Sequence, residues 1–234
     1  IIATTGFHKS EFYDKSHFLW KYDTEQLAEL LVADVRDGID IYDYAGPIVK
    51  RSEGRAGVIK AACSLQSITT VEKKELRAAA IASNITGAPV SLHLEKGTMA
   101  LEAIDILLEN GAKPNNIILG HIDRNPDYYY HEQIAKRGVF LIYDGAARVK
   151  YYTDEVIAHL IEHMVEAGFE DQLLMGADLG GKSYFRSYEG GPGLGYNLGI
   201  FTPRLLASGI SQQTVDKMLI HNARRAFTNK KAGA

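Results

Sequence analysis

Four residues at the ends of short apolar runs carry the chemistry this chain could perform: Lys60, His93, His121 and Asp178. They close the runs Gly57-Val58-Ile59-Lys60, Pro89-Val90-Ser91-Leu92-His93, Ile117-Ile118-Leu119-Gly120-His121 and Leu173-Leu174-Met175-Gly176-Ala177-Asp178. Short apolar runs bounded by turn residues read as buried strands. A polar residue closing a parallel barrel strand points into the mouth where such folds do chemistry. Two imidazoles, a carboxylate and an amine converging there make a metal site, because imidazole and carboxylate suit divalent ions. Each residue alone has a plainer reading. A single buried histidine is more often a hydrogen-bonded core residue, Asp178 could cap the following turn, and Lys60 could be a surface ion pair. An apolar strand end suits an uncompensated ammonium poorly, however.

The elements that must position these residues alternate along the chain. Strands are expected at Ile1–Thr5, Gly57–Lys60, Pro89–His93, Asn116–His121, Val139–Tyr143 and Gln172–Asp178. Helical periodicity covers Thr24–Gly38, Val71–Thr86, Thr98–Asn110, Pro126–Arg137 and Thr153–Ala167, then roughly Asn197–Ala207 and Ser211–Asn222. Thr24 and Ser211 serve as helix caps, and Gly38, Gly87, Gly111, Gly138 and Gly168 as stops. Such βα units build a parallel sheet with helices outside. A closed (β/α)8 barrel needs eight strands, and a doubly wound open sheet is the structural alternative. The ligand-type residues favour the barrel, because they recur at strand ends along nearly the whole chain instead of at one switch point. His131, His159, His163 and His221 fall in helical patterns and read as surface residues of the outer ring. Tyr128, Tyr129 and Tyr130 read as packing or an oligomer contact.

The 234 residues suit one large domain, and 46% hydrophobic against 24% charged residues is ordinary for a soluble globular protein. A formal net charge of −3 gives no electrostatic reason to expect DNA or RNA. Cys63 is the single cysteine, expected as a small buried apolar side chain; with no internal disulfide to form, a reducing, cytoplasmic compartment fits. No apolar run approaches the ~20 residues of a membrane span, and no signal-peptide pattern is visible.

From Thr5-Gly6-Phe7 to Asn222-Ala223-Arg224-Arg225-Ala226-Phe227 the chain resembles the phosphotriesterase-related branch of the amidohydrolase superfamily. Supporting stretches are Ala56-Gly57-Val58-Ile59-Lys60, Ala78-Ala79-Ala80-Ile81-Ala82, Thr86-Gly87-Ala88-Pro89-Val90, Gly120-His121-Ile122-Asp123 and Gly176-Ala177-Asp178. Their order and spacing together make the match specific. The resemblance implies a TIM-type (β/α)8 barrel with two divalent metal ions, zinc first, with manganese, cobalt or iron as alternatives. It implies a carbon dioxide-derived carbamate on Lys60 as the bridging ligand, metal ligation by His93, His121 and Asp178, and Asp178 as the catalytic proton handler. The family's His-x-His pair of strand 1 has no counterpart here, and His8 and His17 do not form one. The chain therefore resembles strands 3–8 of such a barrel, one N-terminally incomplete hydrolase domain over residues 1–234.

Some members of the family are specialised for phosphorylated sugar lactones. In that subgroup a lysine, an arginine and a tyrosine hold the phosphate, and these positions carry over to Lys150, Gly181 and Tyr184. Lys182, next to that glycine, with Arg186 in the same glycine-rich loop and Arg148 nearby, are further candidates; His8 lies in a loop resembling the family's substrate-facing lid. Glycine-rich loops also serve simple turns, and Lys150 could lie in a solvated loop. The expected function is a metal-dependent hydrolase opening a lactone, a phosphorylated sugar lactone in its most specific form, by a metal-activated hydroxide. The alternatives are a promiscuous carboxylesterase or phosphotriesterase of the same family, and a non-catalytic barrel remnant that binds a small anion. The expected partner is a small-molecule substrate, with no nucleic acid and no membrane, and the assembly a homodimer.

Overall fold

Apolar strands alternate with capped amphipathic helices through residues 1–228, the part that the computed structural model describes. Strands β1 (Ala3–Gly6), β2 (Ala56–Cys63), β3 (Val90–Leu94), β4 (Ile117–Gly120), β5 (Phe140–Tyr143) and β6 (Leu173–Met175) follow one another along the sheet in chain order. The sheet is open, with six parallel strands among the described residues, the βα arrangement that the sequence predicts. The described residues divide into two compact units, Ile1–Leu119 together with residues 226–228, and Gly120–Arg225.

In the first unit, helix α1 (Thr24–Arg36) is capped one residue earlier than expected. Asp23, not Thr24, is the N-cap: its carboxylate accepts from the Gln26 N–H at 2.8 Å, and the Gln26 side chain accepts from the Asp23 N–H at 3.0 Å. That reciprocal box satisfies two backbone donors that Thr24, already helical, leaves open. Leu27, Leu31 and Val35 turn inward, as their spacing predicts. Helix α2 (Thr70–Thr86) repeats the device with Thr69 and Glu72, and Gly87 at φ 77° ends it in the left-handed region.

The strand carrying Lys60 is longer than expected. β2 runs three residues past it to Cys63, because Ala61, Ala62 and Cys63 are all buried and keep pairing with β3. Lys60 therefore sits inside a strand rather than at its end. The register aligns Lys60 with Gly6 on one side and Ser91 on the other, and Ala62 with His93. Since side chains alternate with a period of two, Lys60 and His93 project from the same face of the sheet, one pleat apart. A Cβ on Gly6, at φ 112°, would come within 2.1 Å of the Lys60 carbonyl oxygen, so only glycine permits β1 to lie so close. Helix α3 (Ala100–Glu109) follows β3 and buries Ala103, Ile104 and Leu107.

In the second unit, α4 (Tyr128–Ala135) and α5 (Asp154–Glu166) accompany β5 and β6, which pair in parallel from Leu141 with Leu173 to Tyr143 with Met175. Residues Asn197–Phe201 form a π-turn leading into α6 (Thr202–Ala207). Ser211 caps α7 (Gln212–Asp216), and a second π-turn joins it to α8 (Asn222–Phe227). His131 departs from its expected surface position. It is fully buried, and Nε2 lies 3.0 Å from the Ile122 carbonyl and 2.8 Å from that of Asn125. Nε2 must therefore carry the proton, and Nδ1 accepts from the Tyr143 hydroxyl at 2.8 Å. Burial holds its pKa below the ordinary value, which keeps that neutral tautomer. His159 and His221 are exposed, as expected.

Candidate metal centre

Two side-chain clusters stand where the sequence places its ligand-type residues, one in each unit. In the first unit His93, the penultimate residue of β3, lies 3.1 Å through Nε2 from Glu95 Oε2. Its ring centroid is 4.6 Å from that of His8. The Lys9 ammonium donates to Glu95 at 2.7 Å and, with His93, holds the Glu95 carboxyl down to about 2. His8, a substrate candidate, thus stands beside the ligand candidate His93; its Nδ1 accepts from the Lys9 N–H at 2.8 Å. Lys60 and His8 also line a cavity of about 230 Å³ with Thr5, Gly6, Tyr13 and Asp34.

In the second unit the geometry is tighter. His121 follows β4 directly, in the left-handed region at φ 64°, and Asp178 stands three residues after β6 at φ 46°. Both leave the sheet through strained turns, which cost energy and survive where the surroundings over-determine them. Here side chains do so. The Asp144 carboxylate lies 2.9 Å from His121 Nδ1 and accepts from the His121 backbone N–H at 3.1 Å. Asp178 Oδ2 accepts from Arg124 Nη2 and from Arg148 Nη1, each at 2.6 Å. Ligand atoms of His121, Asp144 and Asp178 all lie within 4.8 Å of one another. One imidazole with two carboxylates suits zinc, manganese, cobalt or iron, so the residues fit the ion that the sequence implies.

Asp144, Asp123 and Arg124 were not singled out from the sequence. The signal for Asp144 was present: it follows the apolar run Val139–Tyr143 just as His121 follows its own. Asp123 is almost fully buried and accepts from the Gly145 N–H at 2.6 Å. Burial, and then the Asp144 charge beside it, push its carboxyl well above the usual carboxylate range.

The anion candidates divide. Arg148 is buried, and its Nη2 donates to the Tyr184 hydroxyl at 3.2 Å, so two of them meet. Lys150 lies 4.8 Å from the Tyr151 ring centroid, on an exposed turn before α5. Lys182 and Arg186 are exposed and face elsewhere: Lys182 lies 5.5 Å from the Tyr188 ring, and Arg186 Nε donates to the Pro192 carbonyl at 3.1 Å.

The chain is similar to several known proteins. The chain is 40% identical over 240 residues to a phospho-furanose lactonase of Mycoplasmopsis synoviae (strain 53), covering 99% of this chain and 68% of that protein. The crystal structure of a lactonase from Listeria monocytogenes superposes with a TM-score of 0.90 at 34% identity, over 99% of this chain and 74% of that one. The phosphotriesterase homology protein from Escherichia coli, complexed with phosphate in its active site, superposes with a TM-score of 0.89 at 28% identity, over 97% and 74%. The chain spans about two thirds of the length of two phospho-furanose lactonases it matches, 68% and 65%. A sequence model described as the Phosphotriesterase family matches residues 1–227, and the chain belongs to that family.

Proposed function

We propose that this chain is a metal-dependent hydrolase that opens a lactone, most specifically a phosphorylated sugar lactone. The observation that carries the reading is the convergence of His121, Asp144 and Asp178 beside Arg148 and Tyr184, in a chain 40% identical to a protein named phospho-furanose lactonase. His121 and Asp178, with Asp144 as ligand or orienting partner, would hold a divalent ion in the second unit. In the first unit His93 and a carbamate on Lys60 would be the metal donors. When bound, such an ion lowers the pKa of its water toward about 7 and polarises the ester carbonyl.

The protein's own residues do the rest. Asp178, its side chain 34% exposed, takes the proton of the attacking water and returns it to the departing alkoxide. The guanidiniums of Arg124 and Arg148 fix the orientation of that carboxylate. Asp144 fixes the ring of His121. Arg148 and Tyr184 bind the substrate's phosphate. Zinc is the preferred metal in this reading. A cytoplasmic location, which fits the single, buried Cys63, and a homodimeric assembly complete it. No helix among the described residues is long and apolar enough to cross a membrane.

Elemental analysis paired with a screen of phosphorylated and plain sugar lactones tests the proposal. Metal-loaded protein should open a phosphorylated lactone in preference to its plain counterpart. Full metal content with no turnover of any lactone would overturn it.

A further inference from the structure

Ala147 stands in the left-handed region at φ 66°, a backbone conformation that costs energy for any residue with a Cβ. It immediately precedes Arg148, so its conformation sets the direction in which that guanidinium leaves the turn. The Arg148 backbone N–H closes the turn by donating to the Gly145 carbonyl at 2.8 Å, and its Nη1 donates to Asp178 Oδ2 at 2.6 Å. The strained turn is held from outside: the Ala147 N–H donates to Asp154 Oδ1 at 2.8 Å, and Asp154 is buried.

Asp154 is the first residue of α5, where a carboxylate ordinarily serves the helix N-terminus. Here both of its oxygens bond other elements, which offsets the cost of burying the charge. Oδ2 accepts from the Tyr196 hydroxyl at 2.7 Å, and that bond, ahead of burial, pushes the phenol up to about 12 and keeps it a donor. Tyr196 immediately precedes the π-turn Asn197–Phe201. Asn197, itself buried, donates through Nδ2 to the Gly176 carbonyl, two residues before Asp178. One carboxylate thus joins the loop after β5, which carries Arg148, to the segment that braces the end of β6, beyond which Asp178 stands.

We propose that Asp154 is a positioning residue of the second cluster: it holds the Ala147 turn and, through Tyr196, ties that turn to the residues beyond β6, so that Arg148 meets Asp178. The effect on turnover rests on the lactonase reading; the alignment itself does not.

Amide hydrogen exchange by NMR tests the alignment without metal or substrate. Asp154→Ala should speed exchange of the Ala147 and Arg148 amides by about tenfold or more, while amides in the middle of α5 keep their protection. Asp154→Asn retains an acceptor oxygen and should keep most of the protection, and Tyr196→Phe, which removes one bond, should fall between the two. Glycine takes positive φ freely, so adding Ala147→Gly to Asp154→Ala should restore part of the protection of the Arg148 amide. On a lactone, kcat should fall by roughly 10–100-fold in Asp154→Ala and recover several-fold on adding Ala147→Gly. A residue that only stabilised the start of α5 would lose helix protection in step with the turn, and Ala147→Gly would rescue nothing; either result overturns the proposal. So does an Arg148 amide that exchanges at the unmodified rate in Asp154→Ala, or an unchanged kcat when that amide is released. A protein that shows the exchange pattern yet opens no lactone would refute the lactonase reading and leave the positioning role standing.

Discussion

The clusters in the two units are built on opposite principles. In the first, Lys60 and His93 sit within β2 and β3, and their relation is set by strand register: Ala62 pairs with His93 and Lys60 with Ser91. In the second, His121 and Asp178 sit beyond their strands in left-handed turns, and side-chain bonds from Asp144, Arg124 and Arg148 hold them. Backbone ladders tolerate a change of side chain, whereas turns held by charged side chains do not. The first cluster should therefore lose chemistry without losing shape. The second should lose both together.

Lys60→Ala breaks the comparison most severely. It removes the proposed bridging anion while leaving the β2 ladder intact, so metal content by elemental analysis should fall to background with an unchanged far-UV spectrum. Added bicarbonate should raise metal loading of the unmodified chain but not of the variant. Retention of a full metal complement by the variant would show that no carbamate forms.

Asp178→Asn removes the proton acceptor, and turnover of a lactone should fall by roughly 10²–10⁴-fold, the usual reach of a positioned acid–base group. Single-turnover rates across pH would separate this from a loss of binding. Asp144→Asn is milder. It takes the anionic partner from His121 and should weaken metal binding by about 10–100-fold, measured by competition with a chelator. A variant with unaltered affinity would mean that the turn alone orients the imidazole.

Lys150→Ala and Tyr184→Phe sharpen the picture at the anion end. Each should raise KM for a phosphorylated lactone by an amount equivalent to roughly 1.5–3 kcal/mol for a charge-assisted contact, less for the hydroxyl, while plain lactones change little. Equal losses on both substrates would place these residues outside the phosphate site.

The smallest effect lies away from both clusters. Glu75 of α2 is fully buried, neither carboxyl oxygen has a hydrogen-bond partner among the described residues, and burial pushes its pKa from the ordinary 4.5 up to about 9. The folded chain keeps a proton that the unfolded chain releases. Stability from this group is thus complete below about 4.5 and is lost as pH rises through about 9. Glu75→Gln cannot ionise, so the variant's Tm should overtake that of the unmodified chain by on the order of a few degrees between neutral pH and pH 9. Parallel Tm curves would show that Glu75 titrates normally.

Much of the fold was legible because its signals are local. Periodicity placed α1, α2, α3 and α5 to within a few residues, and the apolar runs placed all six strands. The extra residues of β2 were missed because Ala61-Ala62-Cys63 carries no strong strand preference; pairing with Leu92, His93 and Leu94 recruits it. His131 was misplaced because a helical pattern marks a face only weakly around a polar residue. The Tyr143 hydroxyl and two carbonyls that satisfy it come from outside its helix.

By itself the sequence determined the alternation of strands and helices, the glycine stops between them, and a set of metal-type donors at or near strand ends. Tertiary structure decided which of those donors meet. His121 is joined to Asp144 across 23 positions, Arg148 to Asp178 across 30, and Arg124 to Asp178 across 54. Capping and periodicity are written within a few residues of where they act. Convergence depends on strand register and on the paths of loops, and no local pattern encodes that.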